Sequence, residues 1–309
     1  TVCIGCHYSY ASSWQVGFHN DAISNEDGNY TGGAFINFTA RAIDWQQDLI
    51  STFPELNKAN LSYAHSFHIG QKIWTPSEIS FIEPQANERP YAGLSYGQFS
   101  AFAFDHKQSY RTSLMLGIVG EKSKARSFQT EFHRMLDAKK PQGWHSQIED
   151  TLVYQVGLET DLLLLRTKLA RTAIDISTHL GLTAGNFQSD FNMGYTLRWG
   201  NHLATNFNSL NLRPYRMQGL LLPNKLTGKI FYLSTEFIYR ANDITIDGDR
   251  PDNVPDTKVE KVQGKIIAGV FIFAKDLGVN LSAVAFTPDF QEDLSSRYLI
   301  AAVSFYWRF

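Results

Sequence analysis

The sequence predicts an all-β fold, a twelve-stranded antiparallel transmembrane β-barrel with a helix in an extracellular loop. Apolar and polar residues alternate along twelve segments, the pattern of strands that have one apolar and one polar face. The chain is rich in aromatic residues, with 22 Phe, 14 Tyr and 6 Trp among 309 residues. Its longest apolar run, IIAGVFIFA, is far shorter than the roughly 20 residues that a membrane-spanning helix needs.

A soluble barrel or sandwich has the same alternation, with its apolar face turned inward. Two features favour the membrane instead. The chain ends on the aromatic sequence YWRF, and a terminal Phe309 resembles the C-terminal signature of outer-membrane proteins. The strand count is even, as it is in bacterial outer-membrane barrels. We therefore expect a protein of the bacterial outer membrane, embedded in the lipid bilayer and monomeric.

The net charge is -2, so nucleic acid is not an electrostatically favoured partner. The twelve predicted strands lie near residues 14–18, 34–40, 61–69, 91–105, 110–120, 148–165, 171–186, 190–199, 231–239, 262–272, 281–285 and 297–309. One segment has a different period. Residues 124–138 (KARSFQTEFHRMLDA) place Phe128, Phe132 and Met135 at helical spacing, which predicts a helix inserted in a loop.

Strand parity assigns each connection to one side of the membrane. With both termini in the periplasm, the connections at 21–30, 72–90, 121–147, 187–189, 242–257 and 288–296 lie at the outer surface. The short turns DHKQS, RTKLA and AKDLG then lie in the periplasm, the asymmetry typical of these barrels. The connection at 200–228 is an exception, because it is long and yet falls on the periplasmic side. A periplasmic helix, a plug or a miscounted strand would each account for it.

The chain is predicted to hold one barrel domain at 13–309, preceded at 1–12 by a signal-peptide tail or an N-terminal extension. Cys3 and Cys6 stand in a CxxC spacing, which elsewhere indicates redox chemistry or half of a zinc site. No second cysteine pair follows. Ser-Tyr-Ala at 9–11 resembles a small-residue signal cleavage site and favours the signal-peptide interpretation.

Strand counting gathers polar residues at the outer rim of the barrel. Asn20 and Asp21 end the first strand, and Thr31 begins the second. A regular first strand would turn Asn20 toward lipid with Phe18, and would turn Asp21 toward the lumen along with Thr31, unless a bulge re-aims one of them. The same count brings Glu88, Arg89 and His133 to this rim. Taken singly, each of these residues is better explained by turn chemistry or ordinary surface polarity than by a function.

The spaced motifs NDAISNEDGNYTGG, ERPYAG, QTEFH and WHSQIED resemble the lipid A 3'-O-deacylases of the outer membrane, the LpxR family. The resemblance runs from about Trp14 to Phe309. It implies a twelve-stranded barrel and a Ca2+-dependent ester hydrolase. Its substrate would be the 3'-acyloxyacyl ester of lipid A in lipopolysaccharide, met by an active site that faces the outer leaflet.

The resemblance also implies roles for individual residues. His133 would be the general base that activates water, and Asn20, Asp21 and Thr31 would be the other catalytic residues. Asp21 would also bind Ca2+, an ion that prefers hard oxygen ligands. The substrate-binding residues would be Glu88, Arg89 and Gln129. The family carries a basic residue after the third strand, whereas this sequence has no Lys or Arg between Lys72 and Glu88, so Arg89 is the expected substitute.

Two alternatives stay open at this point. The first is an outer-membrane phospholipase-type acyl hydrolase with a Ser-His pair, although no paired serine motif is present. The second is a non-enzymatic channel or structural barrel, in which twelve strands with a filled lumen would conduct poorly.

Overall fold

The computed structural model describes residues 12–21, 29–41, 61–205, 207, 226–295 and 297–309. The predictions about Cys3, Cys6 and the signal-peptide tail fall outside these ranges. Within the described part of the chain, no helix has the length and apolarity needed to cross a bilayer.

Twelve antiparallel strands, all within the described residues, close into a barrel, which confirms the predicted fold class. Each strand pairs with its neighbours in sequence, and β1 closes the cylinder by pairing with β12. The strands are β1 (Ser13–Asn20), β2 (Asn29–Arg41), β3 (Ser62–Thr75), β4 (Ala92–Phe104), β5 (Gln108–Val119), β6 (Thr151–Leu169), β7 (Thr172–Gly185), β8 (Gln188–Gly200), β9 (Thr227–Asp243), β10 (Val262–Ala274), β11 (Leu277–Phe286) and β12 (Tyr298–Arg308).

Among the described residues, two α-helices lie in connections between strands. Helix α1 (Ala125–Met135) is the predicted loop helix, and α2 (Ile244–Asp247) is a single turn after β9. Short 3-10 turns flank α1 at Glu121–Ser123 and Trp144–Ser146. The helix is shorter than predicted because left-handed backbone at Lys124 and Asp137, with φ of 61° and 53°, lies just outside its two ends.

The two faces of the wall follow the predicted alternation. Along β9, Phe231, Leu233, Phe237 and Tyr239 are exposed on the outer face, while Ser234, Glu236 and Arg240 are buried inside. Because a closed barrel pairs the backbone groups of every strand, such an apolar outer face can contact lipid without unsatisfied peptide groups. The lumen is filled with side chains and holds ion pairs such as Arg198–Asp175 at 2.7 Å.

We call the end of the barrel that carries α1 the helix end, and the opposite end the turn end. The connections β4–β5, β6–β7 and β10–β11 at the turn end are tight, as predicted. The long connection after β8 also starts there. Its first residues pack inward, because Leu203 and Phe207 are buried and the Phe207 ring lies 5.1 Å from the Arg198 guanidinium. The closed barrel has the twelve strands that were predicted, so a miscounted strand does not account for this connection. Residues 208–225 lie outside the described part.

Candidate functional site

Helix α1 lies against the outer face of the wall, over β3 and β4. Even-numbered residues of β4 such as Leu94 and Tyr96 belong to the interior core, whereas the odd-numbered Phe99 is exposed. Gly93 is on the outer side of this alternation, and a Cβ placed there would overlap the Cβ of Ala125 at the start of α1. The absence of a side chain at Gly93 lets the helix approach the strand.

The face of α1 that turns toward the wall carries two predicted site residues. Gln129 and His133 are one helical turn apart and are 3% and 8% exposed. The Trp144 Nε1–H donates to Oε1 of Gln129 at 2.8 Å, which fixes the orientation of the amide. Nε2 of Gln129 is then a buried donor with no hydrogen-bond partner in the described ranges. This amide can donate to a bound group.

The His133 ring is oriented by the chain that follows its own helix. Nδ1 of His133 lies 2.7 Å from the carbonyl oxygen of Lys139. A carbonyl only accepts, so Nδ1 carries the proton and Nε2 of the neutral ring carries the lone pair. A ring held in this tautomer can accept a proton through Nε2. No serine hydroxyl of the described residues hydrogen-bonds the ring, so this contact gives no support to a Ser-His pair.

Asn20 and Thr31 meet at a β-bulge. The β2–β3 register shifts between Tyr30 and Gly32, so Thr31 is the extra residue on β2. Its carbonyl oxygen accepts from Nδ2 of Asn20 at 3.1 Å, and its hydroxyl lies 2.6 Å from that of Thr75. Tyr30, the residue before Thr31, packs in the interior core. Of the two arrangements that the sequence left open, the structure has the bulged one.

The bulge places Thr31 on the same side of the wall as α1. Thr75 follows Ile73 by two residues on β3, so both side chains lie on one face of the strand. Ile73 packs with Ala125 and Trp144, beneath the helix. The outer face of β3 thus connects the Asn20–Thr31 pair on one side to the Gln129–His133 pair on the other.

Asp21 follows Asn20 and is 2% exposed. Its backbone N–H lies 3.4 Å from the Thr31 carbonyl that also accepts from Asn20. Asn20, Asp21 and Thr31 are therefore held at adjacent backbone positions at one strand end. All three residues offer hard oxygen atoms, which fits the ligand preference of Ca2+. In the described ranges no three His, Cys, Asp or Glu side chains are grouped as a metal centre.

Glu88 and Arg89, predicted to bind substrate, make contacts of another kind. Glu88 accepts from the backbone N–H of Ser77 at 3.0 Å and from its hydroxyl, which ties down the loop after β3. The Arg89 side chain is fully buried. It forms an ion pair with Asp289, donates to the Thr245 hydroxyl at 2.5 Å and lies 5.4 Å from the Trp74 ring. Arg89 thus joins three loops inside the helix end, and its role toward substrate stays a prediction.

Neither Thr75 nor Lys139 was predicted from the sequence to be a site residue. Thr75 lies in a segment that was predicted to be loop, but the structure extends β3 to this residue. Lys139 acts through its backbone carbonyl, a group that residue type does not reveal. Trp144 is the first residue of the motif WHSQIED, and its contact with Gln129 gives that motif a physical role.

A family model described as outer membrane protein LpxR matches residues 2–309 of this chain. Among solved structures, LpxR from Salmonella typhimurium is similar with a TM-score of 0.81 at 18% identity, over 96% of this chain and all of that chain. The β domain of the Bordetella autotransporter Brka is similar at a TM-score of 0.47 and 10% identity, over 97% of this chain and 100% of the other. No curated protein matches the chain in sequence.

Proposed function

We propose that this chain, which belongs to the LpxR family of outer membrane proteins, removes the 3'-acyloxyacyl group of lipid A by hydrolysing its ester. The helix end would face the cell exterior, so that the site meets lipid A in the outer leaflet. The observation that carries the proposal is the hydrogen bond from Nδ1 of His133 to the Lys139 carbonyl at 2.7 Å.

The His133 bond supports a general-base role for the ring. With the proton on Nδ1, Nε2 accepts a proton from the attacking water. His133 lies between the helix and the outer wall and is 8% exposed, so the base is largely sheltered from bulk solvent. The buried Nε2–H donors of Gln129, one turn away, would bind the acyl oxygen of the substrate and stabilise its negative charge as the tetrahedral intermediate forms.

The position of the site supports a lipid substrate. Asn20, Thr31, Gln129 and His133 all adjoin the outer face of the wall, whose exposed residues are apolar. An acyl chain can therefore stay in the membrane while its ester reaches the polar residues at the rim. A soluble substrate would have no need of a site on this face.

Calcium is part of the proposal. Asp21 would supply a carboxylate ligand, and Asn20 and Thr31 would contribute their oxygen atoms. When bound, the ion would polarise the ester carbonyl as a Lewis acid. The protein residues would perform the remaining work, with His133 moving the proton and the bulge keeping Thr31 beside Asn20.

Mass spectrometry of lipid A from cells that express the chain tests the proposal. We expect cells with the native protein to lose the 3'-acyloxyacyl group, and cells with His133→Ala or His133→Gln to keep it. Purified native protein in EDTA should also leave the group in place. Lipid A that stays intact with folded native protein and ample calcium would refute the deacylase assignment. Activity that persists in EDTA would refute the calcium requirement alone.

A further inference from the structure

The segment after α1 folds back on the helix and brings Lys139 beside His133. The backbone N–H of Ala138 donates to the His133 carbonyl at 2.9 Å, and the left-handed backbone of Asp137 makes the reversal. The Lys139 carbonyl then accepts from Nδ1 of His133 at 2.7 Å. The position of this one carbonyl decides which nitrogen of the ring carries the proton.

The Lys139 side chain is fixed from the opposite direction by Glu78, in the loop after β3. Its Nζ lies 3.0 and 3.2 Å from the two carboxylate oxygens of Glu78. The Ser80 hydroxyl also donates to Glu78, at 2.7 Å. The donors on Ser80 and Lys139 hold the pKa of the Glu78 carboxyl below its usual range. Glu78 therefore keeps its charge at neutral pH.

Further contacts hold the same two segments together. The Gln142 backbone N–H donates to the Ile79 carbonyl at 2.9 Å, and its side chain donates to the Ser80 carbonyl at 3.1 Å. Within the loop after β3 itself, the Tyr91 hydroxyl donates to the same Ile79 carbonyl. The segment after α1 is thus packed against the loop after β3, and Glu78–Lys139 is the ion pair between them.

We infer that Glu78 and Lys139 form a positioning pair for His133, holding the Lys139 carbonyl where it accepts the Nδ1 proton. This inference rests on the proposed function, since it assigns the pair a purpose in keeping the general base in its active tautomer. The two side chains are 35% and 62% exposed, and exposed ion pairs add little to global stability. The pair should therefore act on the ring and only weakly on the stability of the barrel.

The His133 ring can be observed directly. We would label the histidines of the full chain with 15N and record long-range correlation spectra in calcium-containing micelles, assigning the ring with His133→Gln. The native ring should show the Nδ1–H tautomer. Glu78→Gln and Lys139→Gln should each raise the share of the Nε2–H tautomer. Each should also lower kcat about two- to fivefold with KM unchanged, the range expected for loss of an exposed ion pair.

Two further variants decide between positioning and a nonspecific effect of charge. The double charge reversal Glu78→Lys with Lys139→Glu should restore both the tautomer and kcat. Glu131→Gln breaks another exposed ion pair, Arg134–Glu131 on α1 itself, and should leave both unchanged. The inference is overturned if the single variants keep the native tautomer share, or if the double reversal restores neither property. The spectra test the inference independently of activity. If native protein left lipid A intact, that result would refute the proposed function but not the effect of the pair on the His133 tautomer.

Discussion

Gly93 on β4 and Ala125 at the start of α1 are so close that a side chain on Gly93 would occupy the space of the Ala125 methyl group. The Ser123 hydroxyl oxygen would lie 2.5 Å from the same added Cβ. The distance between helix and wall is therefore set by the absence of one methyl group, and His133 is carried on that helix.

We predict that Gly93→Ala lowers deacylase activity by pushing α1 away from the wall. Overpacking of this kind costs about 1–3 kcal/mol, part of which would appear as a looser helix. Gly97→Ala is the matched control on the same strand and face, because a Cβ added at Gly97 would have the His68 carbonyl oxygen, 3.9 Å away, as its nearest neighbour. Lipid A deacylation and the free energy of unfolding in urea would measure both variants. Equal activity in the two would contradict the prediction.

Trp144→Phe should reduce activity by releasing the Gln129 amide. The substitution keeps an aromatic ring in the cluster with Tyr91 but removes the Nε1–H donor at 2.8 Å from Oε1 of Gln129. A buried acceptor left without its partner costs about 1–3 kcal/mol, so the amide should rotate or draw in water. Trp199→Phe removes the Nε1–H of an exposed tryptophan on the outer face and should leave kcat/KM unchanged. A native kcat/KM in Trp144→Phe would contradict the role given to this bond.

Arg89→Met should destabilise the barrel and not affect substrate affinity. Removal of the guanidinium leaves Asp289 without its buried partner, and such losses typically cost about 3–5 kcal/mol. The double variant Arg89→Met with Asp289→Asn should recover much of this, because the unpaired charge is gone. Urea unfolding measures the stability, and KM for lipid A measures the affinity. Native stability with a raised KM would instead support the substrate-binding role predicted from the sequence.

The local stability of the loop that carries α1 should fall in acid at its first residues, because Asp150 holds them. The Lys122 backbone N–H donates to this carboxylate at 2.9 Å and lowers its pKa. Because the pKa of Asp150 is lower in the folded protein than in the unfolded chain, its carboxylate stabilises the folded state. This stabilisation is fully present above the ordinary Asp pKa of about 3.9 and is lost as the pH falls through the pKa of Asp150 in the folded protein. Asp150→Asn should therefore weaken hydrogen-exchange protection of the Lys122 amide at pH 7. Below both pKa values the variant and the native protein should match.

The fold could be predicted because its signal is local. In β9 every second residue from Phe231 to Ala241 is exposed, and all of these except Thr235 are apolar, a pattern that needs no knowledge of the neighbouring strands. Parity then orders the connections, since each antiparallel strand reverses direction. That was sufficient to bring Asn20, Thr31 and His133 to the same end of the barrel.

The details of the site could not be predicted, since they depend on contacts between distant segments. The bulge at Thr31 depends on the register against β3, and its hydroxyl partner Thr75 is 44 residues away. Arg89 lies within the motif ERPYAG, which resembles the family, yet the direction of its side chain is decided by Asp289, 200 residues further along the chain. Backbone acceptors such as the Lys139 carbonyl leave no mark in the sequence at all.

The placement of α1 on the outer face of the wall has a kinetic consequence. Under the proposed function, enzyme and substrate share one bilayer, and their encounter is a search in two dimensions. The rate should then follow the mole fraction of lipid A in the surface and the fluidity of the leaflet, whatever the bulk concentration. Diluting lipid A with inert detergent at constant total lipid A should slow the reaction, as surface dilution does for other interfacial enzymes.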